Sequence, residues 1–155
     1  MMHTVVQNFE ARSPKIILDF YFFTEVSIKA NRPENLETLE NANFGSLVFN
    51  VNSIVAKDEN NNGKYAIQMT IETVNSDNNA WSIRLVTFGS FVIDDDGPEE
   101  HRKNLVFVLG QNILYGHCRE FLANITARGP YDTVYLPTIT FVPDGECKKD
   151  ALSPN

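Results

Sequence analysis

The sequence predicts an α+β fold, in which a four-stranded antiparallel sheet is packed by one long helix near the C-terminus. Apolar residues alternate with polar ones in successive segments between residues 20 and 93, and polar turns separate these segments. A strongly amphipathic stretch follows at residues 112–129. Strands that keep one apolar face need a covering layer, and this stretch is the strongest candidate for that layer.

The first strand is predicted over residues 20–30, because Phe22, Val26 and Ile28 alternate with polar side chains. Residues 31–43 are too polar for a core segment, so we predict a long crossover loop there.

The next three strands are predicted to form an antiparallel meander. Apolar residues alternate within residues 47–55, 65–71 and 81–93, and the runs at 58–63 and 75–79 are rich in the residues that favour turns.

The helix is predicted over residues 112–129, with Asn112 as its N-cap and Gly129 after its last turn. We interpret residues 94–104 as a charged connector and 105–109 as a short helical or turn segment. The apolar stripe of the helix contains Leu114, Cys118, Phe121, Leu122 and Ile125.

Composition indicates one domain spanning residues 1–155, with flexible ends at 1–15 and 144–155. The net charge of -7 argues against nucleic acid as a partner, because such proteins need clustered basic residues. The apolar run at residues 16–23 is too short for a membrane span and contains Asp19. We therefore expect a cytoplasmic protein without membrane insertion.

The sequence offers no catalytic residue, metal site or cofactor site. Cys118 and Cys147 lack the paired spacing of a zinc site or a redox dithiol. His117 adjoins Cys118 on the predicted helix, but neighbouring side chains point about 100° apart, which does not suit a nucleophile and its base. The acidic run at residues 94–100 lacks the ligand spacing of a calcium loop.

Four consecutive aromatic residues, Phe20, Tyr21, Phe22 and Phe23, stand in the first predicted strand. One face of a strand cannot bury all four, so two of them must point away from the core. Large exposed apolar patches mark contact sites, which leaves a second layer, another subunit or an apolar ligand as their partner.

Several strings resemble the SecB family of bacterial export chaperones, which hold unfolded polypeptides. The strongest are Asn-Ile-Leu-Tyr at residues 112–115, Arg-Glu at 119–120 and Arg-Gly at 128–129. Leu-Pro at residues 136–137 and Phe141 resemble the segment that follows the helix in that family.

The resemblance implies an ATP-independent holdase that is assembled as a dimer of dimers and captures non-native polypeptides without a cofactor. The implied interface joins first strands and helices, through Tyr21, Phe23, Leu114, Cys118, Phe121, Leu122 and Ile125. The implied client groove contains Phe20, Phe22, Leu36, Leu39 and Phe44.

Two departures from the family pattern affect the helix and the groove. Gly116 and His117 replace a Pro-Tyr pair, and Gln111 replaces a proline, so the entry of the helix is expected to differ. Family members continue into a second amphipathic helix, whereas residues 142–150 have no apolar stripe. Half of the groove wall is therefore predicted to be missing.

A third departure concerns the export motor SecA, which docks on an acidic surface of the family. Lys29 and Arg84 stand at the positions of this chain that match that surface, and both are basic where the family is acidic. We hypothesise a holdase that does not serve SecA, such as one dedicated to a single client like an antitoxin.

Two other functions stay open at this level. One is a structural or assembly protein that kept the fold but lost client binding. The other is a small-ligand pocket or enzyme on the same scaffold, which fold alone does not exclude.

Overall fold

Four antiparallel strands form one sheet, as predicted, and a helical segment follows them. A computed structural model describes residues 15–32, 44, 46–75 and 79–143. The predicted flexible ends, except Lys15, and most of the predicted crossover loop lie outside the described residues. No helix in the described part has the length and apolarity needed to cross a bilayer.

The strands follow the order β1-β4-β3-β2 across the sheet. Strands β2 to β4 form the predicted meander, whereas β1 pairs with β4, so the chain crosses from one edge of the sheet to the other between β1 and β2. The strand bounds are β1 Ile16–Ala30, β2 Phe49–Lys57, β3 Lys64–Thr73 and β4 Trp81–Ile93.

Strand β1 is longer than predicted and contains two irregularities. Its pairing with β4 shifts between Leu18 and Phe20 and again between Phe23 and Glu25. An extra residue in a strand reverses which side chains face the core, because side chains alternate with a period of two. Phe20 therefore points to the outer face of the sheet, which is the face without helices.

The helical segment begins earlier than predicted. Helix α1 spans Glu99–Leu105, a π-helical turn spans Val106–Gly110, and helix α2 spans Gln111–Thr126. The prediction of a charged connector over residues 94–104 was therefore partly wrong, because helix α1 begins at Glu99. Asn112 is not an N-cap, because Gly110 before helix α2 already has helical dihedral angles.

The π-helical turn lies close to the sheet. A Cβ atom added at Gly110 would lie 3.0 Å from Ile67 Cδ1 and 3.4 Å from Ile16 Cδ1. Glycine thus permits close packing of backbone on side chains. Gln111 follows directly and accepts a hydrogen bond from Ser53 Oγ, which ties the helix to β2.

The core lies between the helices and the inner face of the sheet, which is the face that the helices cover. Ile67, Met69, Ile71 and Leu85 of the central strands are fully buried there. The helix contributes the buried side chains of Val106, Leu114, Tyr115, Cys118 and Leu122.

Truncation of two aliphatic side chains on helix α2 should have unequal effects. Leu122 is completely buried, whereas Ile125 is 39% exposed. We expect Leu122→Ala to lower the free energy of unfolding by about 2–5 kcal/mol, because it leaves a cavity. Ile125→Ala should cost only about 1 kcal/mol, since less of its area is buried. Urea unfolding at one fixed protein concentration measures both, and equal losses would contradict this description of the core.

Candidate functional site

A groove lies at the end of the sheet where β4 begins and where the chain returns after helix α2. Its volume is about 660 Å³. The start of β2, the residues just before it and the return segment, residues 130–137, form its sides. Its large apolar and aromatic lining residues are Phe44, Leu47, Phe49, Trp81, Tyr131 and Tyr135. We call it the aromatic groove.

Trp81 supplies a rigid part of the groove lining. Its side chain is 5% exposed, and its Nε1–H donates a hydrogen bond to the carbonyl oxygen of Asp132 at 3.3 Å. A Cβ atom added at Gly129 would lie 2.1 Å from Trp81 Cη2. The indole therefore packs directly on the backbone at the end of the helix, where only glycine leaves room.

Tyr131 connects three parts of the chain beside the groove. Its ring lies 4.8 Å from that of Phe44 and 5.9 Å from that of Trp81, in edge-on arrangements. Its hydroxyl donates to the carbonyl oxygen of Asn31 after β1. Edge-on aromatic pairs are favourable beyond their burial, so the three rings support one another.

The return segment is extended and is anchored to helix α2. The Val134 N–H donates to Thr126 Oγ1 at 2.9 Å, and the Tyr115 hydroxyl donates to the carbonyl oxygen of Pro137. Val134 is buried, whereas the next side chain, Tyr135, is 74% exposed. The anchoring thus presents Tyr135 to solvent at the groove.

The groove offers a ligand both aromatic rings and polar groups, and the polar share of its exposed lining is the larger one. Among its described lining residues, Asp132 is the one charged side chain. Aromatic side chains offer large apolar contact areas, and burial of such area drives association without directional requirements. The thiol of Cys118, which is not part of the groove lining, does not supply a nucleophile, because burial raises its pKa to about 12 and keeps it protonated.

The structure divides the predicted client groove. Phe44 lines the aromatic groove, whereas Phe20 and Phe22 lie on the outer face beside Phe88. Leu36 and Leu39 lie outside the described residues. Phe20 and Phe22 are therefore not part of the same site as Phe44.

The sequence reasoning missed Trp81, Tyr131 and Tyr135 as groove residues. Trp81 was predicted only as a strand residue, and Tyr131 stands just after the Gly-Pro sequence that was read as the end of the helix. An aromatic cluster after a helix end is a signal that could have drawn attention to Tyr131 and Tyr135.

The predicted interface residues fall into two groups. Leu114, Cys118 and Leu122 are fully buried against the sheet of the same chain, so they are not available to contact another subunit directly. This placement corrects the interface prediction for those three residues, because the sheet occupies the face they share.

The other predicted interface residues lie at the β1 side of helix α2. The Phe121 ring packs on Phe23 at 4.4 Å, and the Tyr21 ring stacks on His117 at 4.3 Å. Tyr21 and Ile125 are 40% and 39% exposed, respectively. This region therefore keeps accessible apolar area.

Comparison with known proteins gives one family and several structural neighbours. The family model of SecB, the preprotein translocase subunit, matches residues 10–143. The Mycobacterium tuberculosis Rv1957 SecB-like chaperone, in complex with a ChAD peptide from the Rv1956 HigA1 antitoxin, has a TM-score of 0.53 at 13% identity. That match covers 81% of this chain and 91% of the chaperone, and it shows a shared fold.

A protein of unknown function from Streptococcus agalactiae has a TM-score of 0.42 at 15% identity, with coverage of 79% of this chain and 97% of that one. No curated protein matches the sequence.

A methyl group at Gly129 should displace Trp81. We expect Gly129→Ala to lower the free energy of unfolding by about 1–3 kcal/mol, as overpacking does. The fluorescence of Trp81, the single tryptophan of the chain, should shift to longer wavelength because the ring moves towards water.

Gly116→Ala is the matched control, since a Cβ there meets no atom within 4 Å. It should leave the emission unchanged and stabilise the helix by up to about 1 kcal/mol. Identical spectra for both variants would show that Trp81 does not pack on Gly129.

Proposed function

This chain belongs to the SecB family, and on that premise we propose that it is a holdase that captures non-native polypeptides in the aromatic groove. The observation that carries the proposal is the convergence of Phe44, Trp81, Tyr131 and Tyr135 on one open groove. Unfolded chains expose apolar side chains that native proteins bury, so such a groove would distinguish non-native from native clients.

Polypeptide is the ligand class that the comparisons favour. The Mycobacterium tuberculosis neighbour is in complex with an antitoxin peptide. The extended return segment and the exposed ring of Tyr135 suit a ligand that lies along the groove. A dedicated client, such as an antitoxin, is compatible with this arrangement, as is a broad set of unfolded chains.

We propose that capture needs neither ATP nor a catalytic step. Phosphate groups are bound by cationic side chains or by backbone amides at helix N-termini. The described lining of the groove carries Asp132 and no basic side chain, so a triphosphate would be repelled there. Binding and release would then need no nucleotide.

We further propose that the protein assembles in the cytoplasm as a dimer of dimers through β1 and the neighbouring surface of helix α2. Strand β1 is an edge strand, and edge strands offer unpaired backbone groups to a partner. Tyr21, Val26 and Ile125 add partly exposed apolar side chains on the helix side of that edge.

SecA is not a partner in this proposal. Arg84 lies on the outer face of the sheet, where it donates hydrogen bonds to Glu25 at 3.1 Å and to Glu72 at 2.5 Å. These hydrogen bonds raise the pKa of Arg84, so the guanidinium stays charged and occupies both carboxylates. An acidic docking surface is therefore neutralised at this position.

Surface plasmon resonance should show no measurable binding of the protein to SecA. Binding that disappears in the Glu25→Gln, Glu72→Gln double variant would contradict the proposal, because it would show that these carboxylates still act as a docking surface. The double variant should fold normally, since exposed ion pairs contribute little to stability.

Client binding should depend on the aromatic groove. We expect Phe44→Asp and Tyr135→Asp each to weaken binding of a reduced, unfolded model polypeptide about 10-fold or more, because a charge would face the apolar side chains of the client. Fluorescence anisotropy without nucleotide measures the affinity. Phe22→Asp is the control, since Phe22 is equally aromatic but lies on the outer face, and it should leave the affinity unchanged.

Native mass spectrometry of the wild-type protein with the same polypeptide reports both the assembly and the capture. A tetramer that retains the client is expected. An assembly that never retains it would favour the structural or assembly protein instead, and undiminished binding by both groove variants would place the client site elsewhere.

A further inference from the structure

The hairpin turn between β2 and β3 contains a reactive dipeptide that the proposed function does not use. Asn62-Gly63 is the single Asn-Gly sequence of the chain. It lies between the end of β2 at Lys57 and the start of β3 at Lys64. An asparagine side chain loses its amide most readily when glycine follows, because the backbone nitrogen of glycine is the least hindered one in a peptide chain.

The loss of the amide needs only the chain itself and water. The Gly63 backbone nitrogen gives its proton to solvent and attacks Cγ of Asn62, so an N–Cγ bond forms. The bond between Cγ and the side-chain nitrogen breaks, and that nitrogen takes a proton from water and leaves as ammonia. Water then opens the five-membered imide ring. Hydrolysis at Cγ gives aspartate, and hydrolysis at the main-chain carbonyl carbon of residue 62 gives isoaspartate.

The turn leaves the Asn62 side chain free to react. The residue is exposed, and among the described residues no hydrogen bond involves its side chain. The Lys64 N–H donates to the Asn61 carbonyl oxygen at 3.1 Å, so the turn is closed without it. Exposed side chains change rotamer on a fast timescale, which brings Cγ of Asn62 within reach of the Gly63 nitrogen.

Gly63 is held by two hydrogen bonds of different strength. Its N–H donates to Asn61 Oδ1 at 3.2 Å, a distance at the long end of the usual range. This bond retains the proton that the attack must remove, so it slows the reaction without blocking it. The Gly63 carbonyl oxygen accepts the Ile93 N–H at 2.7 Å, which fixes the turn to the end of β4.

Asn52-Ser53 provides a comparison within the same hairpin. Asn52 is also followed by a small residue, but both lie within β2, where they pair with Thr70 and Met69. Ring closure needs rotation about the Cα–C bond of the asparagine, and pairing along a strand resists that rotation. The position in the turn therefore distinguishes Asn62 from Asn52.

We propose that Asn62-Gly63 is a site of spontaneous deamidation, which Asn61 slows and which converts the folded protein into aspartate and isoaspartate forms over time. Isoaspartate adds one carbon atom to the backbone of a turn that is fixed on both sides, so the bond between Gly63 and Ile93 is broken. Aspartate leaves the backbone unchanged. The aromatic groove is separate from this site, because it lies at the end of the sheet where β2 begins.

Incubation of the folded full-length protein beside a free peptide of residues 56–68 tests the proposal. Peptide mapping by mass spectrometry follows the change from amide to acid. We expect Asn62 in the folded protein to react at a rate within about 10-fold of that in the peptide, while Asn52 keeps its amide. An intact Asn62 after several half-lives of the peptide, or equal loss at Asn52, would overturn the proposal.

Two variants of the turn test the roles of the neighbouring groups. Asn61→Ala removes the acceptor for the Gly63 N–H and should speed the loss about 2- to 10-fold, the effect of one ordinary hydrogen bond on a rate. Asn62→Gln keeps an amide but would require a six-membered ring, so no acid should form. Unchanged or slower loss in Asn61→Ala would refute the role of Asn61. Acid at residue 62 in Asn62→Gln would show that the reaction does not pass through the imide.

Amide hydrogen exchange of the separated products tests the structural consequence. The isoaspartate form should lose protection of the Ile93 N–H, because the Gly63 carbonyl oxygen no longer accepts it. Asn62→Asp is the matched control, since it carries the same charge on an unaltered backbone, and it should keep that protection. Equal protection of Ile93 in both proteins would contradict the predicted change at the end of β4.

Discussion

One helical layer covers one face of a four-stranded sheet. This arrangement determines which other surfaces of the protein are left for partners. The strands place their largest aliphatic side chains on the face that the helices cover, where Leu114, Cys118 and Leu122 complete the core. A sheet has two faces and two edges, so a single layer leaves one face and the strand edges to other partners. The aromatic groove forms where the covering layer ends.

The end of helix α2 therefore determines the geometry of the groove. Thr126 accepts the Val134 N–H while its hydroxyl donates to the carbonyl oxygen of Leu122. Gly129 leaves room for the indole of Trp81. These contacts join the last turn of helix α2 to the return segment, whose side chains Val134 and Leu136 are buried in the core. A binding surface built this way is both anchored and open, which suits capture of chains that lack a fixed shape.

Much of the fold could be predicted from the sequence, because its signals are local. Alternation located β2 to β4, and the apolar stripe of the helix, although read as an interface, identified Leu114, Cys118 and Leu122 as a buried face. Among the described lining residues of the groove, Phe44 was the only one that the sequence analysis assigned to a client-binding site. Trp81, Tyr131 and Tyr135 could not be grouped with it, since they are distant in sequence and meet only through the packing of the helix end on the sheet.

The sequence by itself determined the α+β class, the meander and the family, since these depend on periodicity and on short strings of residues. Only the tertiary structure decided the directions of Phe20 and Phe22, because bulges arise from the register between β1 and β4. It also decided that the helix begins at Glu99 and passes through a π-helical turn. The close approach of Gly110 to Ile16 and Ile67 joins residues that are far apart in the chain, so no local pattern in the sequence could indicate it.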